Sequence, residues 1–193
     1  MELVDVIDSK SIGPKPCRFE SDHEHQKGLY EPNWFFFYKE RANMKVIFLD
    51  FNGVLDTYEN MDEINIDNLR RLKYIVDETD AKVVISSSLK NSYYYTGHFS
   101  KHLQNIMKEI ENIGIEIIGI TPYAKEREEE IKIYLKEHPE IEAYCILDDD
   151  YEMEELREHL VKLPPQMQIG QVGLEDIHTD MAIKILTKTS KKK

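Results

Sequence analysis

The chain has 193 residues, room for one α/β domain of about 150 residues plus an extension. Hydrophobic residues at 41% can fill a core, and charged residues at 32% suit a globular protein in water. A net charge of −12 excludes a general nucleic-acid coat, which needs excess Lys and Arg, but leaves open a local basic groove.

Residues 1–43 read as an irregular extension, with Gly13-Pro14-Lys15-Pro16, a polar run from Glu20 to His25, and an isolated aromatic patch from Trp34 to Tyr38. At Met44 strands begin to alternate with helices. Lys45 to Asp50 is a short apolar run ending in a carboxylate, the pattern of a buried parallel strand. Ile64 to Val76 has helical spacing, with Asn65 or Asp67 available as a cap. Lys82 to Ile85 is a second strand, His98 to Ile113 a helix stopped by Gly114, and Ile115 to Ile120 a third strand. Glu126 to Glu137 is a helix and Ala143 to Leu147 a fourth strand. Glu152 to Leu163 reads as a short helix, Met167 to Val172 as a fifth strand, and Asp176 to Thr187 as a last helix. Residues 189–193 form a basic tail.

This alternation predicts an α/β fold: a three-layer, Rossmann-like parallel sheet of about five strands with helices on both faces. The gaps between strands are too short for a large cap. Two cysteines, Cys17 and Cys145, support neither a disulfide framework nor a cysteine metal site. His98, His102, His138, His159 and His178 form no metal-binding pattern and read as surface or helix residues. No apolar run approaches the length of a membrane span and no secretory signal opens the chain, so a cytoplasmic protein is expected.

In open parallel sheets ligands bind beyond the carboxyl ends of the strands. Three of those ends are polar here: Asp50-Phe51-Asn52-Gly53, Ser86-Ser87-Ser88 and Asp148-Asp149-Asp150. Carboxylates and hydroxyls from separate strands suit a hard cation with oxygen ligands, such as Mg²⁺ holding a phosphate.

The motifs FLDFNGVL, VISSSLK, GITP, Arg127-Glu128-Glu129-Glu130-Ile131 and CILDDD occur in that order. They resemble the haloacid dehalogenase (HAD) hydrolases, and most of all the capless HAD domain of "Swiss Army Knife" RNA-repair proteins, over residues 44 to about 188. The resemblance implies a Mg²⁺-dependent phosphatase in which Asp50 attacks phosphorus and forms an aspartyl-phosphate. By the same resemblance Asp50, the main-chain carbonyl of Asn52, and Asp148 or Asp149 would hold the metal. Ser86, or Ser87 one residue on, would bind the phosphoryl oxygens, and Gly53 would let the backbone approach closely. Of Lys90, Lys125 and Arg127, the pattern favours Arg127 as the cation beside the nucleophile, with Lys90 as a second contact.

Asn52 departs from the pattern, because HAD phosphatases carry there a second Asp that protonates the leaving group and then activates water. Asn can do neither, and such help is worth about 10²–10⁴-fold. Reduced turnover is therefore expected, with Asp56 and Asp150 as alternative acids. The rival readings are a non-catalytic HAD domain binding a phosphorylated ligand or partner, a polynucleotide-end phosphatase, and a phospho-acceptor receiver domain. The last is disfavoured by Gly53-Val54-Leu55 and the late Asp pair. Expected partners are a phosphorylated small molecule or nucleotide, and a protein that covers the uncapped site. Nucleic acid gains no support from the charge. Tyr93-Tyr94-Tyr95 reads either as part of the core rim or as a surface on which a base could stack.

The N-terminus carries a separate expectation. Arg18-Phe19-Glu20-Ser21 is the translation of CGG-TTC-GAA-TCC, which contains the usual T-arm sequence of a tRNA gene. Met44 stands one residue before the first strand. Residues 1–43 are thus expected to stem from a start codon assigned too far upstream. DNA lacking a tRNA-like gene upstream of codon 44 would refute this.

Overall fold

The computed structural model describes residues 44–188. The 1–43 extension, its aromatic patch and Cys17, and the basic tail lie outside the described residues. Five strands form one parallel sheet: β1 (Met44–Leu49), β2 (Lys82–Ile85), β3 (Ile117–Ile120), β4 (Ile141–Asp148) and β5 (Leu160–Lys162), in the order β3-β2-β1-β4-β5. The helices are α1 (Ile66–Thr79), α2 (Asn91–Thr96), α3 (Lys101–Asn112), α4 (Arg127–Glu137) and α5 (Asp176–Thr187). Among the described residues no inserted cap domain interrupts this core.

The two-residue period of the strands divides the core into two layers. Ile47, Leu49, Val83, Ile85, Cys145 and Leu147 face one side, where α1, α3 and α5 supply Leu69, Leu72, Leu103, Ile110 and Leu186. Val46, Phe48, Val84 and Ile146 face the other, against Ile131 and Tyr134 of α4 and the loop residues Met153 and Leu156. Every strand of the centre is thus buried on both faces, which explains its unbroken run of branched residues. The Cys145 thiol is fully buried, and burial pushes its pKa far up.

Local signals set the element ends. Asn65 caps α1, accepting from the N–H groups of Asp67 (2.9 Å) and Asn68 (3.2 Å). Gly114, at φ +82°, follows α3 in the left-handed region. His178, read as a surface or helix histidine, is buried; its Nδ1 accepts from the Glu175 N–H (3.1 Å) and completes a capping box on α5.

Two expected elements are different. The helix expected over 152–163 is a turn, a short 3₁₀ segment at Arg157–His159, and then β5. Met153, Leu156 and Leu160 have helical spacing, but Glu128 of α4 takes the N–H groups of Glu155 (2.7 Å) and Leu156 (2.9 Å), and Leu160 to Lys162 pair with β4. The fifth strand expected at Met167 to Val172 is instead a pair of turns, closed by Gln168 N–H to Pro165 C=O (2.8 Å) and Gln171 N–H to Gln168 C=O (3.0 Å). The sheet therefore has its fifth strand earlier in the chain, and α2 is a helix that periodicity did not predict.

The turns at 164–173 return to the loop after β1. Gly173 has φ +76°, and a Cβ there would lie 2.1 Å from Asn68 Nδ2 and 2.5 Å from the Asp56 carbonyl oxygen. Gly173→Ala should thus cost more than about 2 kcal/mol, through backbone strain and clash together. Urea unfolding would measure it, and a loss under 0.5 kcal/mol, the ordinary scale of a surface substitution, would contradict this packing.

Candidate active site

The sheet order places the switch in chain direction between β1 and β4, and the site straddles it. Hydrogen bonds carry the ladder one residue past the strands. Asp50 N–H binds the Leu147 carbonyl (3.0 Å), Ser86 N–H binds Leu49 (2.9 Å), and Thr121 N–H binds Ile85 (2.9 Å). Asp50, Ser86 and Thr121 are therefore fixed level with one another at the carboxyl edge, all buried.

Asp50, Asp148 and Asp149 converge, each offering a carboxylate oxygen within 4.8 Å of the others. Backbone N–H groups pin them. Asp50 Oδ1 accepts from Phe51 (2.7 Å), and Asp148 Oδ1 accepts from Asp150 and Tyr151 (both 3.0 Å). Asp149 Oδ2 accepts from Gln166 (2.5 Å). Gly53, at φ +72°, packs against the Asp149 carboxyl so closely that a Cβ would lie 2.2 Å from its Cγ.

The cations sit among these acids. Arg127 places Nη2 3.5 Å from Asp50 Oδ2, and Nε 4.0 Å from Asp148 Oδ2 and 3.8 Å from Glu130 Oε2. Its guanidinium also lies 4.8 Å from the centre of the Tyr151 ring. Lys90 is buried and bonds Glu130 Oε2 at 2.8 Å, so it reaches the site through that glutamate. Lys125 does not join them: its side chain is 89% exposed, beside Glu126.

The charges do not balance. Two buried cations, Lys90 and Arg127, face four buried carboxylates, Asp50, Glu130, Asp148 and Asp149. Burial, with Asp50 adding repulsion, pushes the Asp148 carboxyl up to about 6. Burial likewise lifts Asp149 to about 6 and lowers Lys90, whose hydrogen bond to Glu130 works the other way. Three buried atoms, Ser86 Oγ, Arg127 Nη1 and Asp148 Oδ2, have no hydrogen-bond partner among the described residues. An oxygen-ligated divalent cation would restore the balance, and an anion would use the free donors. The donor set thus fits such a metal.

Ser87 is buried too, but its hydroxyl accepts from the Leu89 N–H (3.4 Å) and caps the following 3₁₀ turn. Asn52 is turned the other way: its amide donates to Asp62 Oδ1 (3.0 Å) and Asp56 Oδ2 (3.4 Å). Asp56, a candidate acid, is fully occupied as an acceptor, since Gly53 N–H (2.6 Å), Asp62 N–H (3.0 Å) and the Gln166 amide also donate to it. Burial raises its pKa, while those donors oppose the rise.

Residue patterns left several participants unseen. Glu130 is outside the expected site residues, yet it joins both cations. Gln171 falls within the strand expected over 167–172, and Gln166 just before it. Gln166 anchors Asp149 and Asp56, and Gln171 bonds the Gly53 carbonyl oxygen. Only their position near the end of a Pro164-Pro165 break hinted at a loop.

No curated protein and no solved structure matches the chain. A family described as the HAD domain in Swiss Army Knife RNA repair proteins matches residues 46–174, from the third residue of β1 to just before α5. With that match over most of its length, and with acidic strand ends converging on a five-stranded parallel sheet, the chain belongs to this family of HAD domains.

Proposed function

We propose that the chain is a Mg²⁺-dependent phosphohydrolase that works through a phosphorylated Asp50, with turnover limited by Asn52. One observation carries this reading. Asp50 lies 3.5 Å from Arg127, among carboxylates within 4.8 Å and beside the buried, unpartnered Ser86 hydroxyl. Asp50, the Asn52 carbonyl, Asp148 and Asp149 would hold the ion. Bound there, Mg²⁺ would neutralise phosphate charge and orient an oxygen of the substrate.

The protein groups then have separable roles. Ser86 Oγ and Arg127 Nη1 donate to phosphoryl oxygens, and Arg127 holds the carboxylate of Asp50 in line. Lys90 and Glu130 position Arg127. An Asp50 oxygen attacks phosphorus, the bond to the ester oxygen breaks, and that oxygen leaves with its electron pair and takes a proton from water. Water next attacks phosphorus, the bond to Asp50 breaks, and carboxylate and inorganic phosphate are released. Asn52 cannot act as the acid and Asp56 has its oxygens occupied, so acid help to both steps is reduced. Good leaving groups are therefore favoured. The rival, a non-catalytic domain that binds a phosphorylated ligand, draws on the same Asn52.

Purified protein with Mg²⁺ should release phosphate from acetyl phosphate and p-nitrophenyl phosphate faster than from alkyl esters. EDTA or Asp50→Asn should abolish the release. Absence of Asp50-dependent turnover of any phosphate ester or anhydride would leave only the binding role.

Asn52→Asp should raise kcat, by up to about 10²–10⁴-fold. It also places a third carboxylate against Asp56 and Asp62, so it should cost about 1–2 kcal/mol, a few degrees in Tm. The double variant Asn52→Asp with Asp62→Asn should recover that loss. Slower turnover in Asn52→Asp would show that position 52 is misread.

Protons and Mg²⁺ compete for Asp148 and Asp149. Their carboxyls go from 3.8 to about 6 on folding, so between those values the folded state holds protons that the unfolded state has lost. Metal-free stability should then fall as pH rises from about 4 to about 6. Mg²⁺ should raise Tm at pH 7.5 and barely at pH 5. Thermal melts with Mg²⁺ and with EDTA would test this, and an equal rise at both pH values would contradict it.

A further inference from the structure

The carboxyl edge of the sheet continues beyond the acids into a surface of tyrosines. Tyr93, Tyr94 and Tyr95 lie on α2, just after the Ser86–Lys90 segment, and Tyr123 follows Thr121 at the end of β3. All four rings are exposed, Tyr95 at 72% and Tyr123 at 50%. They touch in series. Tyr93 meets Tyr94 at 5.6 Å between centroids, Tyr94 meets Tyr123 at 5.9 Å, and Tyr123 meets Tyr95 at 6.0 Å.

The surface is built rather than frayed. Tyr93 stacks on Phe99 (4.7 Å, 25°), Tyr94 donates its hydroxyl to the Thr121 carbonyl (2.9 Å), and the Tyr95 and Tyr123 hydroxyls bond each other (3.1 Å). Burial raises the Tyr94 hydroxyl to about 12, so it stays a donor at any working pH. Folding leaves these rings ordered but uncovered.

Its position relates it to the phosphate donors. Register sets Asp50 beside Ser86 and Ser86 beside Thr121. Strand spacing puts Thr121 about 5 Å from Ser86 and about 10 Å from Asp50. Thr121 Oγ1 also lies 3.5 Å from Glu130 Oε2, which bonds Lys90 and Arg127. A molecule with a phosphate at Ser86 and a flat ring one ribose away would cover both places.

We propose that Tyr94, Tyr95 and Tyr123 form a base-stacking subsite, and that the substrate is a nucleoside monophosphate with its phosphate at Asp50 and Ser86. The proposal rests on the phosphohydrolase reading and adds the substrate class. Exposed planar rings in contact with one another suit a nucleobase, which stacks on aromatic faces whatever its sequence. An aliphatic helix or an acyl chain would be met by Leu, Ile or Met. The chain's charge of −12 favours a single nucleotide over a long polynucleotide.

The test compares adenosine 5′- and 3′-monophosphates with ribose 5-phosphate, which keeps the phosphate ester and lacks the base. With full-length protein and Mg²⁺, the better adenosine monophosphate should show kcat/KM about tenfold or more above ribose 5-phosphate. Tyr95→Ala with Tyr123→Ala should remove that advantage through KM and leave ribose 5-phosphate unchanged. Tyr95→Phe with Tyr123→Phe should keep it. Calorimetric binding of the same three compounds to Asp50→Asn protein gives a readout independent of turnover. Tyr-dependent binding of an adenosine monophosphate without hydrolysis would uphold the subsite and sink the phosphohydrolase reading. Hydrolysis and binding indifferent to the base, or unmoved by the alanine pair in folded protein, would overturn the subsite alone.

Discussion

Arg127 is the residue on which the rest of the site depends. Burying a carboxylate at the end of a strand is costly unless a cation and directed N–H groups offset it. This chain buries four carboxylates there, and one guanidinium lies within 4.0 Å of three of them: Asp50, Glu130 and Asp148. Its place is set by the first turn of α4, by the Tyr151 ring and by the Lys90–Glu130 pair. The second core layer carries α4 on Ile131 and Tyr134, so sheet packing and site electrostatics are one arrangement.

Much of this was legible in the residues. Four of the five strands could be placed because buried parallel strands read as unbroken apolar runs, and three of their carboxyl ends stood out because they are polar. Asp50, Ser86 and the Asp148–Asp149 pair were chosen as candidates in that way, and the fold brings them to one edge of the sheet. α5 was found at its observed bounds, since Asp176 to Thr187 has a helical stripe and a polar start. β5 was missed because three residues of pairing outweighed a local helical stripe, with Glu128 diverting two N–H groups the helix would have used. Long-range contacts of that kind leave no trace in local spacing. The role of Glu130, the anchoring by Gln166 and the crowding at Gly173 were hidden for the same reason. Residues 1–43 lie outside the described residues, so their expected origin stands where the sequence left it.

Asn52 shows how one substitution can alter the balance of a site without disturbing its shape. Its amide satisfies Asp56 and Asp62, and Asp56 in turn clamps the Gly53 turn and Gln166. The loop after Asp50 is thereby held by donors where an acid would bring repulsion. Under the proposed function, rigidity of this loop and chemical help to a leaving group compete for the same position. This chain has settled on the former.

The short fifth strand has a consequence for association. Sheet borders with free N–H and C=O groups invite other chains to add on, and proteins blunt them with brevity, charge or proline. Here β5 offers only Leu160 to Lys162 before Pro164 and Pro165, which have no N–H to give. A foreign strand would find two or three bonds at that border and then none. The same two prolines turn the chain back toward Asp149 and Gly53. The segment that completes the acidic centre thus also leaves little of this sheet border for another chain to pair with.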